Sequence, residues 1–503
     1  MTANVVTLAI AHLRISLLAV ALGTLAAAPL ALWAVGRPRV ERAVLAVASV
    51  VQTIPGLALL AAMVPALAAL GAALHAPVPA IGELPAVLAL SIYAVLPVLR
   101  GCVLGLTTVD PAAVEAADAV GMTRGQRLRK VEIPLALPHV MGGLRTATVW
   151  TVGTATLATP VGATSLGELI FGGLQTRRYH DVLVGCVASA ALAVTLDGLL
   201  RLAESRASSR RGRAVALGAL AALVAWAVID TAARALTSDA EAVRIGAKPF
   251  TEQRVLAAVL ARVVERKGAH AEVKTSLGTT VAFDALVHGE LDLYVEYVGT
   301  VWTTMMGRTD MPRDGGAVRA QVDAWLGTHG VVVAARLGFE NAYALVVRAD
   351  TPYRRVSDLG AGEALSLAAD YEFLSRPEWA SLQSVYGVRF RSRRPMDPSL
   401  LYQAVATGAV DVATGYTTDA RIETLHLRAL ADDRHAIPPY DALVLGSAAF
   451  LRAHPSIAAA LRALDGTIDD AKMRAASALV DRDGKAPEVA AMALDPGTGK
   501  GSP

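Results

Sequence analysis

The sequence predicts two folds in one chain: an all-α membrane bundle of about six helices in the first half, then an α/β domain of two lobes. Three observations carry this expectation. The 503-residue chain is 54% hydrophobic, too long for one ordinary domain and too apolar for a wholly soluble protein. Its first half holds repeated charge-poor runs near the roughly 20 residues a helix needs to cross a bilayer, whereas its second half alternates short β-type runs with helical patterns. Charge divides at the same place: residues 1–240 carry 18 Lys and Arg against 12 Asp and Glu, and the remainder carries 29 against 32. That split fits two environments and offers no basic surface for nucleic acid. Cys102 and Cys186 lie in apolar runs without ligand-like spacing, so neither a disulfide framework nor a metal site is expected.

The first run, 15–35, is charge-free and longer than the apolar core of a signal peptide, so an uncleaved span is expected. Further spans are expected at about 43–71, 85–107, 146–166, 182–200 and 214–232. The Gly- and Thr-rich run 146–166 suits close helix approach or a re-entrant break. The last run is short, with only 16 apolar residues before Asp230. No charged proton or sodium relay is expected in these spans, which disfavours a secondary transporter. Segments 36–42, 108–145 and 201–213 hold thirteen Lys and Arg, whereas 72–84 holds none and 167–181 only Arg177 and Arg178. Basic residues resist translocation, so this bias places the amino terminus, and after six spans residues 241–503, outside the cell.

Within 108–145, Asp110 and Pro111 signal a helix start, PAAVEAADAV favours a short helix, Gly121 ends it, and a second helical piece starts near Thr123. Glu115, Ala116 and Ala117, then Gly121, then Val131, Ile133 and Pro134 resemble the EAA loop of type I ABC importer permeases, with Val and Ile as conservative departures. The resemblance implies docking on a separate ATP-hydrolysing subunit. QTIPGLALLA (52–61), LPVLRG (96–101) and RTATVWTVGTATLATPVGA (145–163) are similar to quaternary-amine uptake permeases. The tail GTGKGS (497–502) imitates part of a phosphate-binding loop but lacks the first glycine of GxxxxGK(S/T), so the ATPase is expected on a partner.

In the second half, AEVKTSL, ELDLYVEY, AYALVVR, LSLAAD, VRFRS, VDVATGY and ALVLGSAAF are expected strands of two largely parallel sheets. The lobe crossings are expected near 345 and 441, with ligand between the lobes. GAKPFTEQ (246–253), LGTTVAFDALVHGELDLYVEYVGT (277–300), NAYALVV (341–347), YEFLSRPE (371–378), MDPSLLYQAVATGAVDV (396–412), GYTTDARI (415–422) and IPPYDA (437–442) resemble substrate-binding proteins for glycine betaine, choline and related amines. The resemblance implies a type II periplasmic-binding-protein fold. It carries a tyrosine box onto Tyr297, Tyr343, Tyr416 and Tyr440, and carboxylate donors onto Lys248, Thr300 and Arg376. A trimethylammonium group makes no classical hydrogen bond and sits well against aromatic faces, while a ligand carboxylate needs fixed donors. Phe250 and Tyr371 are adjacent candidates. Tyr294, an odd number of positions from Tyr297, is expected on the opposite strand face. Asn341 stands where some relatives have a carboxylate that supports the cation.

The expected organisation is a permease domain at 1–205, a basic linker with an additional transmembrane helix at 206–240, a binding domain at 241–490 and a flexible tail at 491–503. The expected function is capture and import of a glycine betaine-like zwitterion, without an enzymatic step, cofactor or metal. Ergothioneine, carnitine and choline remain open as ligands, as do osmoprotection and nutrient uptake as purposes. A membrane amine receptor is the competing class. Expected partners are the ATPase, a second permease copy and membrane lipid, in the cell's inner membrane.

Overall fold

The computed structural model describes residues 2–75, 78–175, 178–206, 210–237, 242–310, 312, 314–360, 364–370 and 373–494. These fall into two compact units, Met1–Phe171 with His180–Asp239, and Ala240–Pro503 with Gly172–Tyr179.

The first unit is helical: α1 (Thr2–Ala34), α2 (Pro38–Thr53), α3 (Gly56–Leu74), α4 (Glu83–Thr107), α5 (Pro111–Ala119), α6 (Arg124–Arg127), α7 (Ile133–Ala155), α8 (Gly167–Gln175), α9 (Tyr179–Arg206) and α10 (Arg210–Thr237). Among the described residues three helices are long and apolar enough to span a membrane, in α1, α4 and α9; α2 and α3 make a fourth if a bent pair counts as one span. The expected span 43–71 is therefore not a single cylinder. Its halves meet at 98°, because Pro55 has no N–H to continue the helix ladder. The expected span 146–166 is likewise divided: α7 begins at Ile133, inside the expected loop, and gives way at Thr156–Val161 to a tighter helical turn closed by Gly162 at φ +85°.

Helix α1 also starts well before residue 15 and carries Arg14 inside the bundle, contrary to the expectation of charge-free spans. Arg14 is 2% exposed and pairs with Glu83 of α4 and, at 2.6 Å, with Asp230 of α10. Two carboxylates compensate the guanidinium, which makes its burial tolerable. Helices α4 and α7 approach closely through glycines. A Cβ on Gly101 would meet the His139 carbonyl and the Gly143 Cα, and one on Gly143 would meet the Pro97 carbonyl.

The second unit contains two five-stranded sheets. Strands β1 (Val243–Gly246), β2 (Ala271–Lys274), β3 (Leu293–Tyr297), β4 (Val331–Glu340), β5 (Tyr343–Arg348), β6 (Ser366–Ala369), β7 (Ser392–Pro395), β8 (Val412–Tyr416), β9 (Leu427–Ala429) and β10 (Asp441–Ser447) form the orders β2-β1-β3-β10-β4 and β7-β6-β8-β5-β9. The sheets are mixed, not largely parallel: β10 runs antiparallel to β3 and β4, and β5 antiparallel to β8 and β9. Antiparallel strands enter because the chain passes between lobes twice, after β4 and again before β10. The first crossing occupies 341–342 and the second 430–440, slightly ahead of the expected positions. Strands β4 and β9 had no counterpart in the sequence reading, and β7 lies three to four residues beyond VRFRS.

The carboxyl-terminal helix continues to Leu494, past the expected start of the tail. Ala490, Ala491 and Leu494 belong to the buried core, which explains the extension. Residues 495–503 lie outside the described residues.

Candidate functional site

Strand register builds the ring cluster. Tyr343 of β5 pairs directly across the ladder with Tyr416 of β8, so both rings leave the same sheet face. Their centroids lie 4.9 Å apart, and the Tyr416 hydroxyl donates to the Tyr343 hydroxyl at 3.4 Å. Tyr440 precedes β10 and meets Tyr343 edge-on at 5.9 Å and 90°. A Cβ on Gly299 would fall inside the Tyr440 ring, so only glycine there lets Tyr440 lie against the backbone beside Thr300. Phe373 and Phe250 extend the cluster, at 4.8 Å from Tyr343 and 5.8 Å from Tyr416. Tyr371 lies outside the described residues.

Tyr297 makes a different contact. Its ring carries the Lys248 ammonium at 5.0 Å, and its hydroxyl accepts from Gln253 at 3.1 Å and donates to Glu252 at 3.3 Å. Thus Tyr343, Tyr416 and Tyr440 share ring contacts, while Tyr297 stands at their margin within the same core. Leu293, Val295 and Tyr297 face that core; Tyr294, on the alternate face, is buried with its hydroxyl 3.5 Å from Glu296.

The basic side chains are already partnered. Lys248 is buried and pairs with Glu296 at 2.5 Å, so a ligand carboxylate would have to share it. Arg376 lies over the Tyr343 ring at 5.3 Å, donates to Thr303 at 3.1 Å and is 3.5 Å from Glu378. Thr300 is 5% exposed, at the end of the turn that follows β3.

Two carboxylates in this region had no assigned role in the sequence reading. Glu378 is fully buried and accepts from the Tyr440 hydroxyl through Oε1, while Oε2 has no hydrogen-bond partner among the described residues. Glu252, at the start of α11 (Thr251–Glu265), accepts from Asn341 Nδ2 at 2.9 Å, and Asn341 Oδ1 accepts from Thr418 at 2.7 Å. A carboxylate therefore does stand beside the neutral Asn341, supplied from another element. Burial pushes the Glu252 carboxyl up to about 7, with Asp419 and Asp481 adding to the rise and Lys248 opposing it. Burial also raises the Tyr297 and Tyr440 phenols well above their ordinary range, so both are neutral donors. The signal for these acids was present: Glu252 sits in GAKPFTEQ and Glu378 ends YEFLSRPE.

In the membrane unit, the EAA residues lie in a compact knob of two short helices, α5 and α6, on either side of Gly121, as the start and stop signals predict. Asp110 caps α5 by accepting from Ala112 at 2.9 Å, Gly121 turns the chain at φ +78°, and Thr123 and Gln126 form a capping box. Arg127 ties the pieces together through Asp118, at 2.7 and 2.9 Å, and Glu132, at 2.6 Å. Glu115 and Ala116 are exposed, Ala117 is buried, and Ile133, next to Pro134, is half-exposed.

A helical membrane unit with such a knob, followed by two lobes enclosing aromatic rings and basic groups, defines an importer permease joined to its own ligand receptor. The chain belongs to the ABC-type glycine betaine transport family. Residues 241–494 match the substrate-binding domain of ABC-type glycine betaine transport systems, and residues 19–209 match the binding-protein-dependent transport system inner membrane component. The chain is 27% identical over 479 residues to the ergothioneine transport permease/ergothioneine binding protein EgtU of Helicobacter pylori, covering 89% of this chain and 82% of that one. It is 37% identical over 199 residues to the glycine betaine/carnitine/choline transport system permease protein OpuCB of Bacillus subtilis, covering 40% and 86%. It is 32% identical over 271 residues to a glycine-betaine-binding protein of Pseudomonas aeruginosa, covering 50% and 87%. The protein is thus an ABC importer permease fused to a betaine-type binding domain, and these relatives are transporter components.

Proposed function

We propose that the binding unit, at about 241–494 and outside the cell, captures a trimethylammonium zwitterion. The permease unit then conducts that ligand inward as a homodimer in the lipid bilayer. Tyr343, Tyr416 and Tyr440, with Tyr297 at the margin, hold the cationic head, and Arg376, Thr300 and the shared Lys248 hold the carboxylate. Each aromatic face contributes roughly 0.5–2 kcal/mol to a desolvated cation, so three or four together suffice for capture. A separate ATPase docks on Glu115–Gly121 and on Ile133 and Pro134, and its cycle drives the permease. Ligand closes the lobes, and the ligand itself undergoes no covalent change.

The observation that carries this reading is the cross-strand Tyr343–Tyr416 pair with Tyr440 edge-on and Arg376 5.3 Å from the same Tyr343 ring. Choline has no carboxylate for Arg376, beside the Tyr343 ring, or for the shared Lys248, and so forgoes the charge-assisted hydrogen bonds a zwitterion can add, which favours a zwitterion. Glycine betaine is one such ligand. Ergothioneine is a second reading with its own support: its ring N–H could donate to the unpartnered Glu378 Oε2, and glycine betaine has no donor to offer. Calorimetry on the full chain in lipid nanodiscs against glycine betaine, ergothioneine, carnitine and choline tests the proposal. Heat is expected with at least one zwitterion; none with any trimethylated compound refutes it. Tighter ergothioneine binding that Glu378→Gln selectively weakens would decide for the second reading.

A further inference from the structure

We propose that the membrane unit contains a second, weaker station for the same zwitterion, in the groove between α2, α4 and α7; this rests on the importer reading above. The groove encloses about 660 Å³ and is lined by Gln52, Pro97, Arg100, His139, Thr146 and Trp150. That volume falls among small-molecule sites, roughly 300–1,000 Å³.

Arg100 is the central observation. It is exposed in the groove within the apolar helix Glu83–Thr107, where a charge is costly and marks function. Its Nη2 donates to Ser49 Oγ at 3.1 Å, and no carboxylate lies within ion-pair distance among the described residues. The same helix offers a compensated case for comparison: Glu83 at its start pairs with Arg14 of α1. Arg100 instead faces a groove whose lining includes no Asp or Glu. The complementary partner is an incoming carboxylate.

Trp150 supplies the other end. The residue is 58% exposed, and an indole is the best aromatic face for an alkylated ammonium. The Gly101–Gly143 contact brings α4 and α7 together so that Arg100 and Trp150 line one groove. Pro97 adds a polar rim. It lacks the N–H that would engage the Tyr93 carbonyl, which accepts from Gln52 Nε2 at 3.3 Å instead. A guanidinium and an indole in one groove without acids suit a molecule with a carboxylate and a methylated ammonium, and disfavour a cation such as choline.

The test is equilibrium binding of radiolabelled glycine betaine, ergothioneine and choline to the full chain in nanodiscs. A zwitterion should bind at two equivalents per chain, the weaker one lost in Arg100→Ala and Trp150→Ala and retained in Arg100→Lys and Trp150→Phe. The tight equivalent should keep its affinity within about twofold in all four variants, and choline should show no weak equivalent. A single equivalent in the unsubstituted chain overturns the station, as does a weak equivalent indifferent to Arg100→Ala. A loss that tracks only a change of oligomeric state assigns the groove to a second copy of the chain and also overturns it. Absence of the tight equivalent, by contrast, refutes the receptor reading itself, and absence of both sinks the two together.

Discussion

Replacing Tyr416 with alanine isolates one wall of the ring cluster without disturbing the strand that carries it. The backbone N–H of Tyr416 is held by the Tyr402 hydroxyl at 2.9 Å, and its β8 segment pairs with β5 through main-chain groups. Truncation therefore leaves the scaffold in place and removes a ring 4.9 Å from Tyr343 and 5.8 Å from Phe250. Losing one good cation–aromatic contact costs about 1.4 kcal/mol, a tenfold loss of affinity, and more if water enters the space left behind. Tyr416→Phe keeps the face and loses the hydroxyl with its 3.4 Å contact to Tyr343, so its affinity should stay within about twofold. Calorimetry with the zwitterion that binds best, beside a thermal melt of each variant, reads both. Equal losses in the Ala and Phe variants would mean that the hydroxyl, not the ring face, matters, and an unaffected Ala variant would remove Tyr416 from the site.

Gly299→Ala should push the Tyr440 ring off its seat and weaken ligand binding about tenfold or more, and should lower the melting temperature because the ring is buried and its hydroxyl serves the buried Glu378; unchanged affinity in calorimetry would show that Tyr440 is dispensable. The raised Glu252 carboxyl makes stability pH-dependent. Its contribution is complete below about 4.5 and is lost as pH rises through about 7, by up to about 3 kcal/mol, an upper bound because the residue keeps some solvent access. Asp481, pushed up to about 6, adds to the same slope, so denaturant titrations from pH 4.5 to 8 should show Glu252→Gln shallower than the unsubstituted chain and not flat. Arg14→Ala leaves Glu83 without this cation and Asp230 with Arg234, at 2.7 Å, in its place and should cost roughly 1–3 kcal/mol, since both acids are partly exposed; a melting temperature in detergent unchanged from that of the unsubstituted chain would contradict the network.

What the sequence by itself determined is whatever depends on near neighbours along the chain. Apolar runs longer than a signal core mark membrane helices, and Asp110, Gly121 and Thr123 set the limits of the knob through local caps. The two-lobed α/β class followed from the alternation of strand and helix patterns, and the tyrosine positions from the family resemblance. What only the tertiary structure decided is which distant groups meet. The 98° break shows that a continuous apolar run need not be one span when a proline interrupts its hydrogen-bond ladder. Spacing along the chain could not separate Tyr297, set against Lys248, from the three rings that touch, because their contacts depend on β5–β8 register and on the turn before β10. Lys248 looks available in sequence and is paired in space, 48 positions from Glu296. The same holds for Arg14 and Asp230, 216 positions apart. Local propensity is written residue by residue, but charge compensation and ring contact belong to pairs, and folding alone chooses the pairs.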